Sequence, residues 1–278
     1  MKKIKVGSKD GFDDAEGTAY QNSTLRVTLF KENGSEYEDI LADELPLSVT
    51  LQGQPYATFM RTPGDDEELI LGFLITEGII TDLDDVETIV PCHQTPDQRI
   101  HVRFSSGISI QPSRHRSFIS SSCGLCSLEE YVIDNHSIDH QGDTHRPHQL
   151  LSKEQVQRLL DDFNRLKSLY SITGGAHAAA IFNKEGDLLV TATDVGRHNA
   201  VDKVIGYALK SNDTYFSEYT LVVSSRAGYE IVLKAVKCGM GSLVTLGAAS
   251  GGAHRLALAS NLALFSFARP QRVHRHQK

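Results

Sequence analysis

Two of the four cysteines in the chain stand as Cys123-Gly124-Leu125-Cys126, led by Ser120, Ser121 and Ser122. Two thiols at this spacing can cycle as a dithiol, pass sulfur between them, or form half of a metal site. The thiolate is the reactive form, and Arg114, His115 and Arg116 just upstream can supply a cation that favours it. A structural zinc site completed by Cys92 and His93 is the alternative. It lacks the second Cys-x-x-Cys or His-x-His pair that a closed site needs.

The second half of the chain holds four more clusters. Thr173-Gly174-Gly175-Ala176-His177 lets backbone approach a ligand, with His177 as a base, a donor, or a histidine satisfied at the mouth of a strand. Asp194-Val195-Gly196-Arg197-His198-Asn199-Ala200-Val201-Asp202-Lys203 lies where a strand turns into a helix, a usual place for sites in open α/β sheets. Asp194 is expected to cap that helix, and Arg197, His198, Asn199 and Lys203 exceed what packing needs. Ser224-Ser225-Arg226-Ala227-Gly228-Tyr229-Glu230, at another such junction, suits an anion through backbone N–H groups with Ser225 and Arg226. Phe267-Ala268-Arg269-Pro270-Gln271-Arg272 carries two arginines able to grip a diphosphate, or else opens a solvated basic tail. The last three clusters all follow strand ends, so in a mostly parallel sheet they converge on one polar pocket for a phosphate-bearing ligand.

The elements that must position these residues divide the chain in two. Residues 1–22 read as a loose arm and residues 23–133 as a small α+β domain that carries the Cys-x-x-Cys loop. Strands are expected over Thr24–Lys31, Leu45–Met60, Val86–Pro91 and Ile100–Phe104. A helix with carboxylates in its first turn carries Leu69, Ile70, Phe73 and Leu74 and stops at Gly78. Residues 134–149 are polar and aperiodic and form a linker. In residues 150–278, Ser152 and Gln155 make a capping box for a helix whose face is Val156, Leu159, Leu160, Phe163 and Leu166. Strands then follow at Ala178–Asn183, Leu188–Thr193, Tyr219–Ser224, Ser242–Leu246 and Leu262–Phe267. Helices are expected at Arg197–Lys210, Gly228–Cys238 and Gly252–Ser260, with a hairpin at Glu185-Gly186. That alternation implies an α/β sheet covered by helices.

Composition bounds the function. With 278 residues, 40 % hydrophobic and 23 % charged, the chain can bury a real core. No apolar run reaches membrane-spanning length, and the charged N-terminus lacks a secretory apolar stretch. Four cysteines do not make a disulfide scaffold, so a reducing cytoplasm is expected. A net charge of −7 argues against general nucleic-acid binding, although the basic end from Arg269 to Lys278 can hold a phosphate.

A resemblance rests on these blocks. Arg61-Thr62-Pro63-Gly64-Asp65 with Gly72-Phe73-Leu74-Ile75-Thr76-Glu77-Gly78-Ile79-Ile80, Ser122-Cys123-Gly124-Leu125-Cys126, Thr173–His177, Asp194–Lys203 and Ser225-Arg226-Ala227 resemble, in order, the motifs of the formate dehydrogenase accessory sulfurtransferase family (FdhD). The resemblance implies a sulfur carrier that accepts persulfide sulfur from a cysteine desulfurase. It passes the sulfur to the molybdenum (or tungsten) bis(molybdopterin guanine dinucleotide) cofactor, the transiently bound acceptor, for a formate dehydrogenase catalytic subunit. It further implies a cytidine deaminase-like three-layer α/β/α second domain and a homodimer. Cys123 matches the persulfide-bearing residue and Cys126 its partner. Phe267, Ala268, Arg269, Pro270, Gln271 and Arg272 match the guanine-dinucleotide segment, with His177, Arg197, His198, Asn199, Ser225 and Arg226 around it. One stretch departs from the family pattern: Ala249-Ser250-Gly251-Gly252-Ala253-His254 replaces a Pro-Ser/Thr-Ser run, and its glycines are expected to loosen the helix start.

Rival chemistries fit less well. Hydrolytic deamination needs His-x-Glu followed by Pro-Cys-x-x-Cys, but His177 is followed by Ala178 and Ala179, and the cysteine pair comes first. A thiol–disulfide oxidoreductase leaves the Asp194–Lys203 block without a task. A non-catalytic cofactor chaperone whose cysteine pair binds metal is the remaining alternative.

Overall fold

The computed structural model describes residues 23–105, 151–166, 168–211, 216–269 and 272–276. Cys123, Cys126, Pro270, Gln271, the arm 1–22 and the linker 134–149 lie outside the described residues.

The first unit begins with an antiparallel ribbon of β1 (Thr24–Phe30) and β2 (Glu36–Ala42). A four-stranded sheet follows, in the order β4-β3-β6-β5, from β3 (Leu45–Leu51), β4 (Gln54–Arg61), β5 (Val86–Pro91) and β6 (Arg99–Phe104). The apolar run expected as one strand over Leu45–Met60 is therefore a hairpin. Gln52 and Gly53 both take positive φ, 50° and 78°, which is the twist a two-residue turn between antiparallel strands requires. Strand alternation sends Leu47, Val49, Leu51, Ala57, Phe59, Ile100, Val102 and Phe104 to one face. Burying each contributes on the order of 2 kcal/mol. Helix α1 (Asp66–Glu77) covers that face with Leu69, Ile70, Phe73 and Leu74 and ends at Gly78, whose φ of 75° turns the chain out.

The second unit is built on a six-stranded sheet, in the order β12-β11-β10-β9-β7-β8 among the described residues. Its strands are β7 (His177–Phe182), β8 (Leu188–Asp194), β9 (Thr220–Val223), β10 (Ser242–Thr245), β11 (Ala263–Arg269) and β12 (Arg272–His276). Helices α4 (Arg197–Lys210), α5 (Tyr229–Lys237) and α6 (Gly251–Ala259) pack on one face against Ala179, Ile181, Leu221, Val223, Leu243 and Leu264. The other face, with Ala178, Ala180, Phe182, Val222, Val244 and Phe265, is covered by α2 (Lys153–Arg165). The result is three layers, helix on sheet on helix. The capping box at α2 forms as read, Ser152 Oγ accepting from Gln155 N at 3.2 Å and Gln155 Oε1 from Ser152 N at 2.8 Å.

Four elements depart from the expectations. A short helix, α3 (Leu169–Thr173), precedes β7, and β2 was not anticipated. The basic end is no solvated tail: Arg272–His276 pairs antiparallel with β11. Helix α6 is not loosened at its start either, because Ser250 caps it by accepting from Ala253 N at 3.1 Å.

After its acidic first turn, helix α1 is apolar from Leu69 to Leu74 because those residues are buried on every side. Its far face meets α4, and the two backbones touch. A Cβ on Gly72 would lie 1.8 Å from Asp202 O, and one on Gly206 1.9 Å from Glu68 O. Polar groups lock the crossing. Lys234 donates to Asp202 Oδ1 and Oδ2 at 2.8 and 2.9 Å and to Thr76 Oγ1 at 2.8 Å, while Thr76 donates to Asp202 at 3.0 Å. Replacing Gly206 by Ala should therefore cost at least about 3 kcal/mol, since backbone cannot give way as a side chain can. Urea unfolding checks this, and an unchanged midpoint would show that the helices do not touch there.

Candidate functional site

The antiparallel β7 in the sheet explains how distant motifs meet. Because β7 runs against both β8 and β9, the carboxyl ends of β8, β9, β10 and β11 and the start of β7 share one edge. His177 begins β7 and pairs in register with Asp194, the last residue of β8. Ser224 follows β9, and its Oγ accepts from Ala178 N at 3.0 Å and lies 3.4 Å from His177 Nδ1. The loops after β9 and β10 run side by side through Ala227 N to Ala248 O, Gly247 N to Ser225 O and Ser250 N to Ala227 O. Gly247 permits this approach, since a Cβ there would come within 2.9 Å of Arg226 Cα. Phe267 N in turn donates to Gly247 O at 2.9 Å.

Three helices begin at this edge. Neither α4, preceded by Gly196, nor α5, preceded by Gly228, has a side-chain cap on its first N–H groups. Together with α6 they direct three positive helix ends to one place. Arg226 and Arg269 are exposed there, Ser225 is buried, and Arg197 is half-buried in the first turn of α4. Ala268 is buried in the core behind them. Phe267 has a φ of 50°, a left-handed conformation that a bulky residue adopts only under constraint, at a bulge between Ser266 and Arg269. Arg272 stacks over its ring at 4.5 Å and His274 meets it edge-on at 5.3 Å.

The Asp194–Lys203 block is divided between this edge and the interior. Asp194 does not occupy the cap position, which belongs to Gly196. It is fully buried and accepts from Gly196 N at 2.8 Å, Asn199 Nδ2 at 2.9 Å and Thr62 N at 3.1 Å, with Lys203 Nζ at 2.9 Å. Asn199 also donates to Met60 O at 2.8 Å, Lys203 to Thr62 O at 3.0 Å, and Val195 N to Thr62 Oγ1 at 3.0 Å. Met60, Arg61 and Thr62 belong to the other signature block. Arg61, itself buried, holds Asp66 with two bonds of 2.7 and 2.8 Å and Asp97 O at 2.8 Å. Asp65 accepts from Tyr207 at 2.5 Å. The two blocks that stand out most in the sequence thus grip one another.

His198 is buried with its Nε2 2.8 Å from Glu230 Oε2, while His198 Nδ1 and Glu230 Oε1 have no hydrogen-bond partner among the described residues. The hydrogen bond from His198, with Arg197 and Lys234 nearby, holds the Glu230 carboxyl below its ordinary value despite burial. Burial, then the positive neighbours Arg197 and His198, push His177 below 6.5, so its ring is neutral at pH 7. Ser224 and Glu230 were read in one motif at this strand-to-helix junction; the paired strands and the turn of α5 set them against His177 and His198.

Two measurements test this placement. Because the folded His177 pKa lies below the unfolded one, its contribution to stability is present above pH 6.5 and is lost as pH falls through the folded value. A ring-proton titration should place His177 under 6.5, and Arg197→Ala should raise it; a wild-type value at or above 6.5 contradicts the burial. Lys203→Met should destabilise by about 3–5 kcal/mol, because Asp194 is left charged in the interior. Wild-type stability in that variant would mean that the pair is not buried.

The chain is similar to known proteins. Residues 42–277 match the model of the FdhD/NarQ family. A protein of Anaeromyxobacter dehalogenans named sulfur carrier protein FdhD is 38 % identical over 261 residues, spanning 87 % of this chain and 88 % of the relative. Proteins of the same name are 39 % identical in Streptomyces avermitilis (83 % and 84 % of the two chains) and 36 % in Saccharolobus solfataricus (83 % and 86 %). The crystal structure of a formate dehydrogenase accessory protein from Desulfotalea psychrophila shares the mixed α and β fold. It superposes with a TM-score of 0.65 at 22 % identity over 91 % of this chain and 95 % of that one. The chain belongs to the FdhD/NarQ family.

Proposed function

We propose that the chain is a sulfurtransferase of the persulfide-carrier type, serving a formate dehydrogenase catalytic subunit. In this reading Cys123 takes sulfur from a cysteine desulfurase: its thiolate attacks the terminal sulfur of the donor persulfide, the donor S–S bond breaks, and the donor cysteine leaves as a thiolate. The acceptor of that sulfur is the molybdenum or tungsten of the bis(molybdopterin guanine dinucleotide) cofactor, a substrate here. Cys126 either supports the Cys123 thiolate or attacks the Cys123 persulfide, closing a disulfide and releasing hydrosulfide.

The observation that supports this best is the shared edge of the large sheet. Three helix N-termini, Arg226, Arg269 and Arg272 offer a diphosphate the charge and N–H groups it needs. His198 Nδ1 and Glu230 Oε1, without a hydrogen-bond partner among the described residues, leave capacity beside it for a base or ribose. The α/β/α layering and the order of the strands favour the cytidine deaminase-like comparison for residues 150–278. A homodimer and a cytoplasmic setting complete the reading. Among the described residues, no helix is long and apolar enough to cross a membrane.

The test is intact mass after incubation with a cysteine desulfurase and cysteine, with guanosine diphosphate binding measured in parallel. Wild type should gain one sulfur and Cys123→Ala none, while both bind the nucleotide equally. Arg269→Ala should weaken the nucleotide about tenfold and leave sulfur loading intact. Zinc bound in place of sulfur, with affinity lost at either cysteine, would instead identify a cofactor chaperone.

A further inference from the structure

The last strand carries two histidines, and a third reaches it from α6. His276 of β12 lies between two partners: its Nδ1 is 3.0 Å from His254 Nδ1, and its Nε2 is 2.8 Å from Ser266 Oγ. The rings of His254 and His276 are half-buried, tilted at 52° with centroids 5.1 Å apart. His274, two residues earlier on the same face, accepts from Arg272 Nε at 3.1 Å and meets Phe267 edge-on at 5.3 Å. Strand pairing makes this group. Leu264 opposes His276 and Ser266 opposes His274, all on the side of the sheet that α6 covers.

The bonds restrict the charge these rings can carry. A hydrogen bond between two ring nitrogens needs one N–H and one bare lone pair. The His254–His276 pair can therefore hold one extra proton on an outer nitrogen and keep its bond. A second proton puts hydrogens on both facing nitrogens and sets two cations side by side, so the rings must part. Arg272 always donates, so its bond to His274 likewise requires a bare Nε2.

The packed elements offer no acid to offset that charge. Besides the three histidines, the charged residues of α6, β11 and β12 are Arg255, Arg269, Arg272 and Arg275, and none of these elements has an Asp or Glu. On α5, which packs against α6, Glu230 is engaged by His198 and Lys234 by Asp202, and Lys237 is a further base. Helix α2, with Glu154, Asp161 and Asp162, lies across the sheet on the side of Val273.

We propose that β12 is an acid-released latch on the ligand edge: protonation of the facing His254 and His276, and of the His274 acceptor, frees the strand from α6 and withdraws Arg272 from Phe267. The proposal rests on the diphosphate reading of that edge and adds its regulation. While the latch is closed, Arg272 is held 4.5 Å over the Phe267 ring. Once it opens, the rim loses one of the three arginines that serve a diphosphate.

The pH direction follows from the same surroundings. Burial, then His254 and His274, hold His276 below 6.5. With the folded value below the unfolded one, the contribution of His276 is fully present above pH 6.5 and is lost as pH falls through the folded value.

Amide hydrogen exchange on the full chain, corrected for the intrinsic pH dependence of the reaction, reads the latch directly. Residues 272–276 should lose protection about tenfold between about pH 7.5 and about pH 5, while Ser242–Thr245 of β10 keep theirs. A glutamine amide donates to a bare nitrogen or accepts from a protonated one, so His254→Gln/His274→Gln should stay closed across the range. Guanosine diphosphate affinity, compared between wild type and that variant at each pH so that titration of the phosphate cancels, should fall about tenfold further in wild type. The latch is overturned if protection of residues 272–276 follows that of β10 throughout, or if the folded variant opens with acid as wild type does. Its regulatory role is overturned if the strand opens while the two proteins keep the same relative affinity. Failure of the diphosphate reading is distinct, because wild type would then not bind the nucleotide at about pH 7.5, whatever the exchange of β12 shows.

Discussion

The close crossing of α1 and α4 is the constraint on which the molecule depends. Two helices approach to backbone contact only where neither presents a side chain, and Gly72 and Gly206 supply that absence on both partners. The approach is then held by groups that lose most if it opens. Lys234, Asp202 and Thr76 satisfy one another only while α1, α4 and α5 stay together. Lys203 and Asp194 do the same for the loop that leads into α1. Removing one member of a buried ionic cluster leaves an uncompensated charge, so the cluster resists partial opening more than it adds net stability. It specifies how the two units sit.

That constraint governs the candidate site. Met60 and Thr62 reach Asn199, Asp194 and Lys203, so the first turn of α4 is braced from the N-terminal unit. Arg197 and His198 leave the same turn with their positions set by it. A single ten-residue block therefore has two tasks: its interior members join the units and its outer members face the edge of the large sheet. At that edge the strained Phe267, the apposed loops after β9 and β10 and three helix starts form a rigid rim. Rigid donors aimed at one point are what anion recognition requires, because little ordering is left to be done when the ligand arrives.

The described cysteines illustrate how far environment outweighs residue type. Cys238, at the end of α5, is desolvated and lies near Asp202, both of which oppose ionisation. The Cys92 thiol is instead pulled down to about 6, by His101 first and then by Gln94 and Thr95. The contrast arises from strand pairing: β6 lies beside both β3 and β5, so Thr50 and His101 come from neighbouring strands and Cys92 directly follows the third.

Read alone, the sequence determined whatever depends on neighbours along the chain. The Ser152–Gln155 box, the helix Arg197–Lys210 and the strand Val86–Pro91 were legible because caps, helical periodicity and β-branched runs are local signals. The motif order that marks the family was legible for the same reason. Only the tertiary structure decided which residues of those motifs face inward. Asp194 reads as a helix cap by spacing, yet it is bound by Thr62 and Lys203 in the interior. The basic end after Arg269 reads as a phosphate grip or a solvated tail, and pairing with β11 makes residues 272–276 a strand. The glycine contact between α1 and α4, the convergence at the sheet edge and the Thr50–His101 hydrogen bond join residues far apart in the chain. Such contacts follow from strand order and helix crossing, which no local pattern encodes.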